Sequence, residues 1–280
     1  MTKNLRVKSS EYIDETNRIS FKFNGKTYHG FKGDTLASAL LANDVHLVGR
    51  SFKYHRPRGI MTSGSEEPNA IVQVNPGTNR TEPNVRATEV EIYEGLEASS
   101  QNCWPSVEFD IGGINNFLSP FFPAGFYYKT FMWPASFWEK YEFFIRHSAG
   151  LGKSPTSSDP DIYDHRNIHC DVLVVGAGIS GILAAKNAAK NNFKTLLVDE
   201  KNELGGSTIF ENNEFNKIDN KTPSEWLKKE IEQLKNIKNL EIKTRTSVAA
   251  YHQYNYLLAR ENLTDHLEAK DKTNKIRQRL

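Results

Sequence analysis

Cysteine is scarce in this 280-residue chain: there are two, Cys103 and Cys170, and no C-x-x-C pair. That excludes a disulfide framework and a zinc- or cluster-type ligand spacing, and it points to a reducing, cytoplasmic setting. Long apolar runs are missing as well. No stretch approaches 18 uninterrupted apolar residues, which predicts no transmembrane helix. The first twenty residues, MTKNLRVKSSEYIDETNRIS, lack the apolar core of a secretory signal. Strong charge of one sign is absent too, the net charge being +2, so nothing global calls for nucleic acid or an anionic membrane. Repeats and low-complexity tracts are lacking. What remains is ordinary for a folded protein, 38% hydrophobic and 25% charged residues, in a chain long enough for one or two domains.

The N-terminal part reads as a small α+β domain. Ile19, Phe21 and Phe23 alternate, Asn24-Gly25 follows, and Thr27, Tyr28 and Phe31 continue, which is the signature of a β-hairpin. Asp34 or Thr35 can cap a helix whose apolar stripe is Leu36, Ala39, Leu40 and Val45. NAIVQV and TEVEIYEG read as returning strands, the second with Val90 and Ile92 alternating and Gly95 closing it. Hairpin, helix, long loop and strands together predict a β-grasp-like domain over about residues 15–97. The loop between helix and strands, GRSFKYHRPRGIMTSGSEEPNA, is crowded with Arg50, Lys53, His55, Arg56 and Arg58 and holds no cysteine.

Residues 98–165 read as a connector. Its aromatic stretch, FLSPFFPAGFYYKTFMWPASFWEKYEFFIRH, admits two readings, a membrane-surface or partner-binding segment and a connector that packs its rings within the assembly. Pro120, Pro123 and Pro134 break any long helix, and no dense Lys/Arg face flanks it, which favours packing. GLGKSPTSSDPD has the composition of a linker.

From residue 166 the pattern changes to α/β. DVLVVGAGISGILAAKNAAKNNFKTLLVDE contains an apolar strand, a glycine-rich turn, an Ala-rich helix and a second apolar strand ending in acids. Gly176-x-Gly178-x-x-Gly181 lies directly after the strand and opens the helix. The first glycine permits the turn, the second admits a pyrophosphate close to the backbone, and the third lets helix and strand pack. Asp199 ends the second strand, where an acid accepts ribose hydroxyls; with Glu200 it disfavours a 2′-phosphate, while Lys201 softens that preference for NAD or FAD. Gly205-Gly206 follows, as in flavoproteins with two dinucleotide domains. A helix capped at Thr222 or Ser224 comes next, then LEIKTRTSVAAY as one third strand. No later strand is expected to complete the sheet, so residues 166–280 read as an incomplete Rossmann-type NAD/FAD-binding domain.

GDTLASALLANDVHLVGRSFKYHRPRGI, GSEEPNAIVQV and DVLVVGAGISGILAA…VDEKNELGG together resemble the α subunit of heterotetrameric sarcosine oxidase over nearly the whole chain. The run Arg50 to Gly59 is more specific than the glycine motif. The resemblance implies an N-terminal domain similar to two-iron ferredoxins. Related opine oxidases and hydrogen cyanide synthase keep cluster cysteines there, and this loop has none, so it resembles a cluster-binding wrap that holds no cluster. Its cations either contact a phosphate or partner subunit, or are solvated and internally paired. The resemblance further implies NAD on this chain, held by Gly178, Ser180, Asp199, Glu200 and Lys201, with Ser207 and Val248 beyond them. In the whole complex it implies FAD, FMN and tetrahydrofolate, with β, γ and δ subunits as partners, oxidising sarcosine to glycine with peroxide formation. No residue of this chain is a catalytic or metal-binding candidate. A self-standing NAD- or FAD-dependent oxidoreductase and an opine-oxidase- or cyanide-synthase-like subunit are the alternatives. Nucleic-acid binding is disfavoured by the balanced charge.

Overall fold

The computed structural model describes residues 5–6, 12–121, 133–148, 150–211, 216–267 and 276–279. Of the described residues, those up to Pro160 with His266 and Leu267 form one compact unit, and those from Asp161 to Asp265 with Ile276–Arg279 form the other.

The first unit is built on a five-stranded mixed sheet whose strands, in spatial order, cover Lys26–Lys32, Asp14–Phe23, Glu97–Ser100, Ile71–Val74 and Glu82–Arg86. β1 (Asp14–Phe23) and β2 (Lys26–Lys32) pair antiparallel around Asn24 and Gly25. Both turn residues have positive φ, 51° and 75°, as a two-residue hairpin loop with strand-matching twist requires. Ile19, Phe21 and Phe23 enter the core. Helix α1 (Leu36–Ala42) starts at Thr35, whose hydroxyl accepts the Ser38 N–H while the Ser38 hydroxyl accepts the Thr35 N–H. Of the two candidate caps it is therefore Thr35 that serves. Asp34 is instead buried against Arg6, the guanidinium donating to both carboxylate oxygens at 3.1 and 2.5 Å. Leu36, Ala37, Ala39 and Leu40 face the sheet. At about 1.5–3 kcal/mol for each fully buried large aliphatic side chain, that face is what holds so short a helix in place.

Two short strands, β3 (Gly49–Arg50) and β4 (Pro57–Arg58), pair across the basic loop. β5 (Ile71–Val74), β6 (Glu82–Arg86) and β7 (Glu97–Ser100) complete the sheet, β7 running parallel to β1. One expected strand is absent. Residues 88–95 make only an isolated bridge, Glu91 to Thr35. Val90 and Ile92 alternate because they pack on the core beside α1, the Val90 carbonyl accepting the Leu36 N–H. The alternation reports burial rather than a ladder.

Part of the aromatic stretch, residues 122–132, lies outside the described residues. Within the described part, α2 (Trp138–Ser148) forms, and Trp133, Phe137, Trp138, Phe143 and Phe144 are exposed on the chain. No helix among the described residues is long and apolar enough to cross a membrane.

The second unit opens with β8 (Ile162–His165) and then β9 (Val172–Val175), α3 (Ile179–Lys190) and β10 (Thr195–Val198). α4 (Pro223–Lys235) is capped by Thr222, which accepts the Glu225 N–H, and buries Trp226, Leu227 and Leu234. β11 (Leu240–Lys243) joins β10 and β9 in a parallel sheet of order β11-β10-β9, with Thr195 opposite both Leu240 and Val172. The single strand expected over 240–251 is two. Arg245 takes a φ of 51° and turns the chain out of the parallel sheet. β12 (Thr246–His252) then pairs antiparallel with β13 (Tyr256–Asn262), and β14 (Ile276–Arg279) joins β13 to β8. Strands thus do follow the third one, in a second sheet that leaves the parallel one at three strands.

Candidate functional site

The turn that leaves β9 is tied to the end of β10 by hydrogen bonds. Gly176, at φ 94°, donates its N–H to the Val198 carbonyl at 2.8 Å. The Ala177 N–H donates to Asp199 Oδ2 at 2.5 Å, and the Lys201 N–H donates to Oδ1 at 2.8 Å. Asp199 is buried, and its backbone extends the connection: its N–H donates to the Lys243 carbonyl, and its carbonyl accepts the Thr246 N–H at 2.7 Å. One residue therefore links the glycine turn, its own strand end and the bend between β11 and β12.

The second glycine pair is drawn into the same place. The Gly205 N–H donates to the Ala177 carbonyl at 2.8 Å, and a β-carbon on Gly206 would come within 3.1 Å of the Gly178 Cα. The three motif glycines then separate by role. A β-carbon on Gly181 would lie 1.9 Å from the Gly176 carbonyl oxygen, so this position is closed by packing. One on Gly178 would meet nothing within 4 Å. Gly178 is also the N-cap of α3 and supplies no side-chain acceptor, leaving first-turn N–H groups and the positive end of the helix dipole for an anion. Open backbone at Gly178, uncapped N–H groups and a carboxylate one strand away fit a dinucleotide. A carboxylate has about four lone-pair sites, so Asp199 keeps capacity for ribose hydroxyls after accepting two amides.

Gly176, Gly178, Gly181, Asp199 and Lys201 are thus gathered at one turn. Ser180 is exposed in the first turn of α3, and Glu200 is exposed beside Asp199. Ser207 is exposed in a short 3-10 helix, Gly206–Phe210, directly after the second glycine pair, and Val248 is half-buried in β12, two residues beyond Thr246. Ala177 and Thr246 act through backbone N–H groups, which no side-chain pattern signals.

In the first unit the basic loop is held from within. Glu67 is buried, and its carboxylate accepts four backbone N–H groups: Met61 and Thr62 on Oε2 at 2.7 and 2.6 Å, Asn69 and Ala70 on Oε1 at 2.7 and 3.1 Å. Burial pushes this carboxyl up, but the amide bonds outweigh it and hold Glu67 below its ordinary value. Arg50 donates to the Val107, Glu108 and His55 carbonyls, and His55 Nδ1 lies 2.6 Å from Asp110 Oδ2.

Two family models match the chain. One, a 2Fe-2S iron–sulfur cluster binding domain, covers residues 16–103, and the other, an FAD dependent oxidoreductase, covers residues 171–260. A cluster of that kind takes four thiolates or close substitutes, and this chain does not fit it. It has two cysteines, one in each unit, and burial is the main cause raising both thiols. Among the described residues no three His, Cys, Asp or Glu side chains are grouped to hold a metal. The loop amides that converge in the first unit are already taken by Glu67.

Relatives that match over most of this chain include sarcosine oxidase α subunits. That of Rhizobium meliloti (strain 1021) is 49% identical over 94% of this chain and 26% of its own length. That of Corynebacterium sp. (strain U-96) is 30% identical over 96% of this chain and 23% of its own. The chain therefore spans about a quarter of the length of these relatives. Among solved structures, L-proline dehydrogenase from P. horikoshii superposes with a TM-score of 0.52 over 94% of this chain and 39% of its own, at 17% identity, a likeness of fold. Along nearly its whole length, with a ferredoxin-like region ahead of an FAD-dependent-oxidoreductase region, the chain is a homologue of sarcosine oxidase α subunits.

Proposed function

We propose that the second unit is a Rossmann-type dinucleotide-binding domain and that the chain acts within the α subunit of a multisubunit sarcosine oxidase. The observation that carries the first part is the turn in which Asp199 holds the Ala177 amide while Gly178 stays open beside the uncapped start of α3. In this reading Gly178 and the N–H groups of the α3 first turn, with Ser180, take the pyrophosphate. Asp199 orients the adenosine ribose, and Glu200, Lys201, Ser207 and Val248 line its surroundings. A nicotinamide or flavin ring supplies hydride acceptance when bound. The chain's own residues bind and orient, and none is assigned to bond breaking.

NAD is the cofactor we assign to this chain. FAD is the second reading, favoured by the match of residues 171–260 to an FAD-dependent family. We further propose that the ferredoxin-like region carries no cluster, that β, γ and δ subunits join it, that FAD, FMN and tetrahydrofolate serve the complete assembly, and that the assembly works in the cytoplasm. Sarcosine is its substrate by relationship to the α subunits above.

Titrating the full chain calorimetrically with NAD and with FAD tests the central claim. One of the two should bind at one per chain, and Gly178→Val should remove that binding. If neither bound, or if Gly178→Val bound as well as the parent, the assignment would fail.

A further inference from the structure

The start of the connector turns its large apolar side chains outward. Within the fifteen residues from Trp104 to Leu118, WPSVEFDIGGINNFL, the rings of Trp104, Phe109 and Phe117 are 68%, 70% and 82% exposed, and Ile111, Ile114 and Leu118 are exposed beside them. At roughly 150–250 Å² for a whole aromatic side chain, the three rings alone leave on the order of 400 Å² of apolar surface bare. With the three aliphatic side chains the patch exceeds the few hundred Å² that soluble monomers ordinarily expose. It approaches the roughly 800 Å² that one partner contributes to a standard protein interface.

The segment is folded into one knot and fastened to the basic loop. The Ile111 N–H donates to the Trp104 carbonyl at 2.9 Å, and Asp110 Oδ1 accepts the Trp104 and Gly112 N–H groups at 3.0 and 3.1 Å. The helical turns Ile111–Gly113 and Ile114–Phe117 follow without a break. Arg50 donates to the carbonyl of buried Val107 at 2.8 and 2.6 Å, His55 Nδ1 lies 2.6 Å from Asp110 Oδ2, and Arg56 Nε donates to Asn116 Oδ1 at 2.8 Å. Gly112 lies so close to the His55 ring that a β-carbon there would come within 2.3 Å of Nδ1. Arg50, His55 and Arg56 thus fix the backbone from which the apolar side chains project, and a surface set in advance loses little ordering entropy on association.

The chemistry of the patch selects its occupant. Glu108 and Asp110 are the only charged residues from Trp104 to Leu118, and Asp110 is turned inward to His55. A patch with no Lys or Arg of its own is poorly suited to an anionic membrane surface. Aromatic enrichment with little charge is instead the composition of a protein interface core. The relatives that match through this region are α subunits. We infer that residues 104–118, held by the basic loop, form a docking platform for an apolar surface on an unlike subunit of the assembly. This rests on the place of the chain in a multisubunit enzyme proposed above.

The test is to co-produce the tagged full chain with the β, γ and δ subunits, isolate it by the tag, and follow association by size-exclusion chromatography with light scattering. The parent should elute with at least one of them at one to one. Phe109→Ser and Phe117→Ser should each weaken that association about tenfold or more, with unchanged circular dichroism and thermal melting. Tyr254→Ser, at a 99% exposed position in the second unit, should leave it as it was. A complex kept intact by both patch variants would overturn this inference alone. A parent that joins none of the three subunits would overturn it together with the assembly reading. Doubling of the parent's mass with concentration, abolished by Phe117→Ser, would make the occupant a second copy, and Phe117-dependent flotation with phosphatidylglycerol vesicles would make it a membrane. Either result would also overturn it.

Discussion

The Asp199 carboxylate accepts the Ala177 N–H at 2.5 Å, joining the acid at the end of β10 to the middle of the glycine turn after β9. Its other oxygen accepts the Lys201 N–H. The residue expected to receive a ribose is thus also a structural tie, and the two roles predict different things.

Removing the carboxylate leaves two amides without acceptors, Ala177 at a fully buried position. Asp199→Ala should destabilise the second unit by about 1–3 kcal/mol in urea unfolding. In the folded variant, dinucleotide affinity should fall roughly 5- to 150-fold, the same energy range read as binding. Asp199→Asn should fall short of the parent too, since its amide group meets an N–H donor where an oxygen stood. Unchanged unfolding and unchanged affinity in Asp199→Ala would remove both roles.

Glu67 predicts a pH dependence in the first unit. Its folded value lies below the ordinary 4.5 because four amides favour the charged form more than burial opposes it. A depressed folded value adds stability that is fully present above the unfolded value and is lost as pH falls through the folded one. The first unit should therefore weaken on acidification below about pH 4.5, and Glu67→Gln should flatten that part of the profile. At neutral pH the same variant should cost about 1–3 kcal/mol, because a neutral amide cannot accept four N–H groups on two oxygens. A Glu67→Gln protein with the parent's stability at pH 7 and the parent's acid profile would show the cage to be inert.

The cysteine count bears on composition. Purified chain should hold well under one iron and one labile sulfide per molecule and lack the visible absorbance of a 2Fe-2S centre. Iron and sulfide near two per chain would require ligands other than the two thiols, and would sink the proposal of a cluster-free domain.

How much of this was legible beforehand depends on whether the cause was local. The Asn24-Gly25 hairpin, the Thr35 and Thr222 caps and the β9-α3-β10 unit rest on residues within a few positions of one another, and the pattern showed them, each cap as one of two candidates. Residues 88–95 misled because Val90 and Ile92 alternate against a helix instead of a neighbouring strand. The break at Arg245 was invisible because arginine carries no preference for the left-handed conformation it adopts there. Glu67, in SEEP, looks like a solvated acid until the four amides from two sides of it are seen together. The place of Asp199 directly after the second strand was legible from the pattern, while its bond to Ala177 depends on a backbone group 22 residues away.

The last prediction separates folding from binding within one motif. A β-carbon on Gly181 would lie 1.9 Å from a backbone oxygen, which cannot rotate aside as a flexible side chain can. Gly181→Ala should therefore shift α3 away from β9 and destabilise the unit by about 1–3 kcal/mol, the usual scale of overpacking. Gly178 differs on both counts. Its φ of −69° suits any residue and nothing stands within 4 Å of the added carbon, so Gly178→Ala should change stability by less than about 1 kcal/mol, the loss of a mediocre N-cap for a poor one. Yet that carbon projects into the space assigned to the pyrophosphate. Dinucleotide affinity should drop at least tenfold in a protein that unfolds almost as the parent does. Thermal melts and calorimetric titrations of both variants decide it. Gly178→Ala binding as tightly as the parent would mean that the open space beside α3 is not where the pyrophosphate goes.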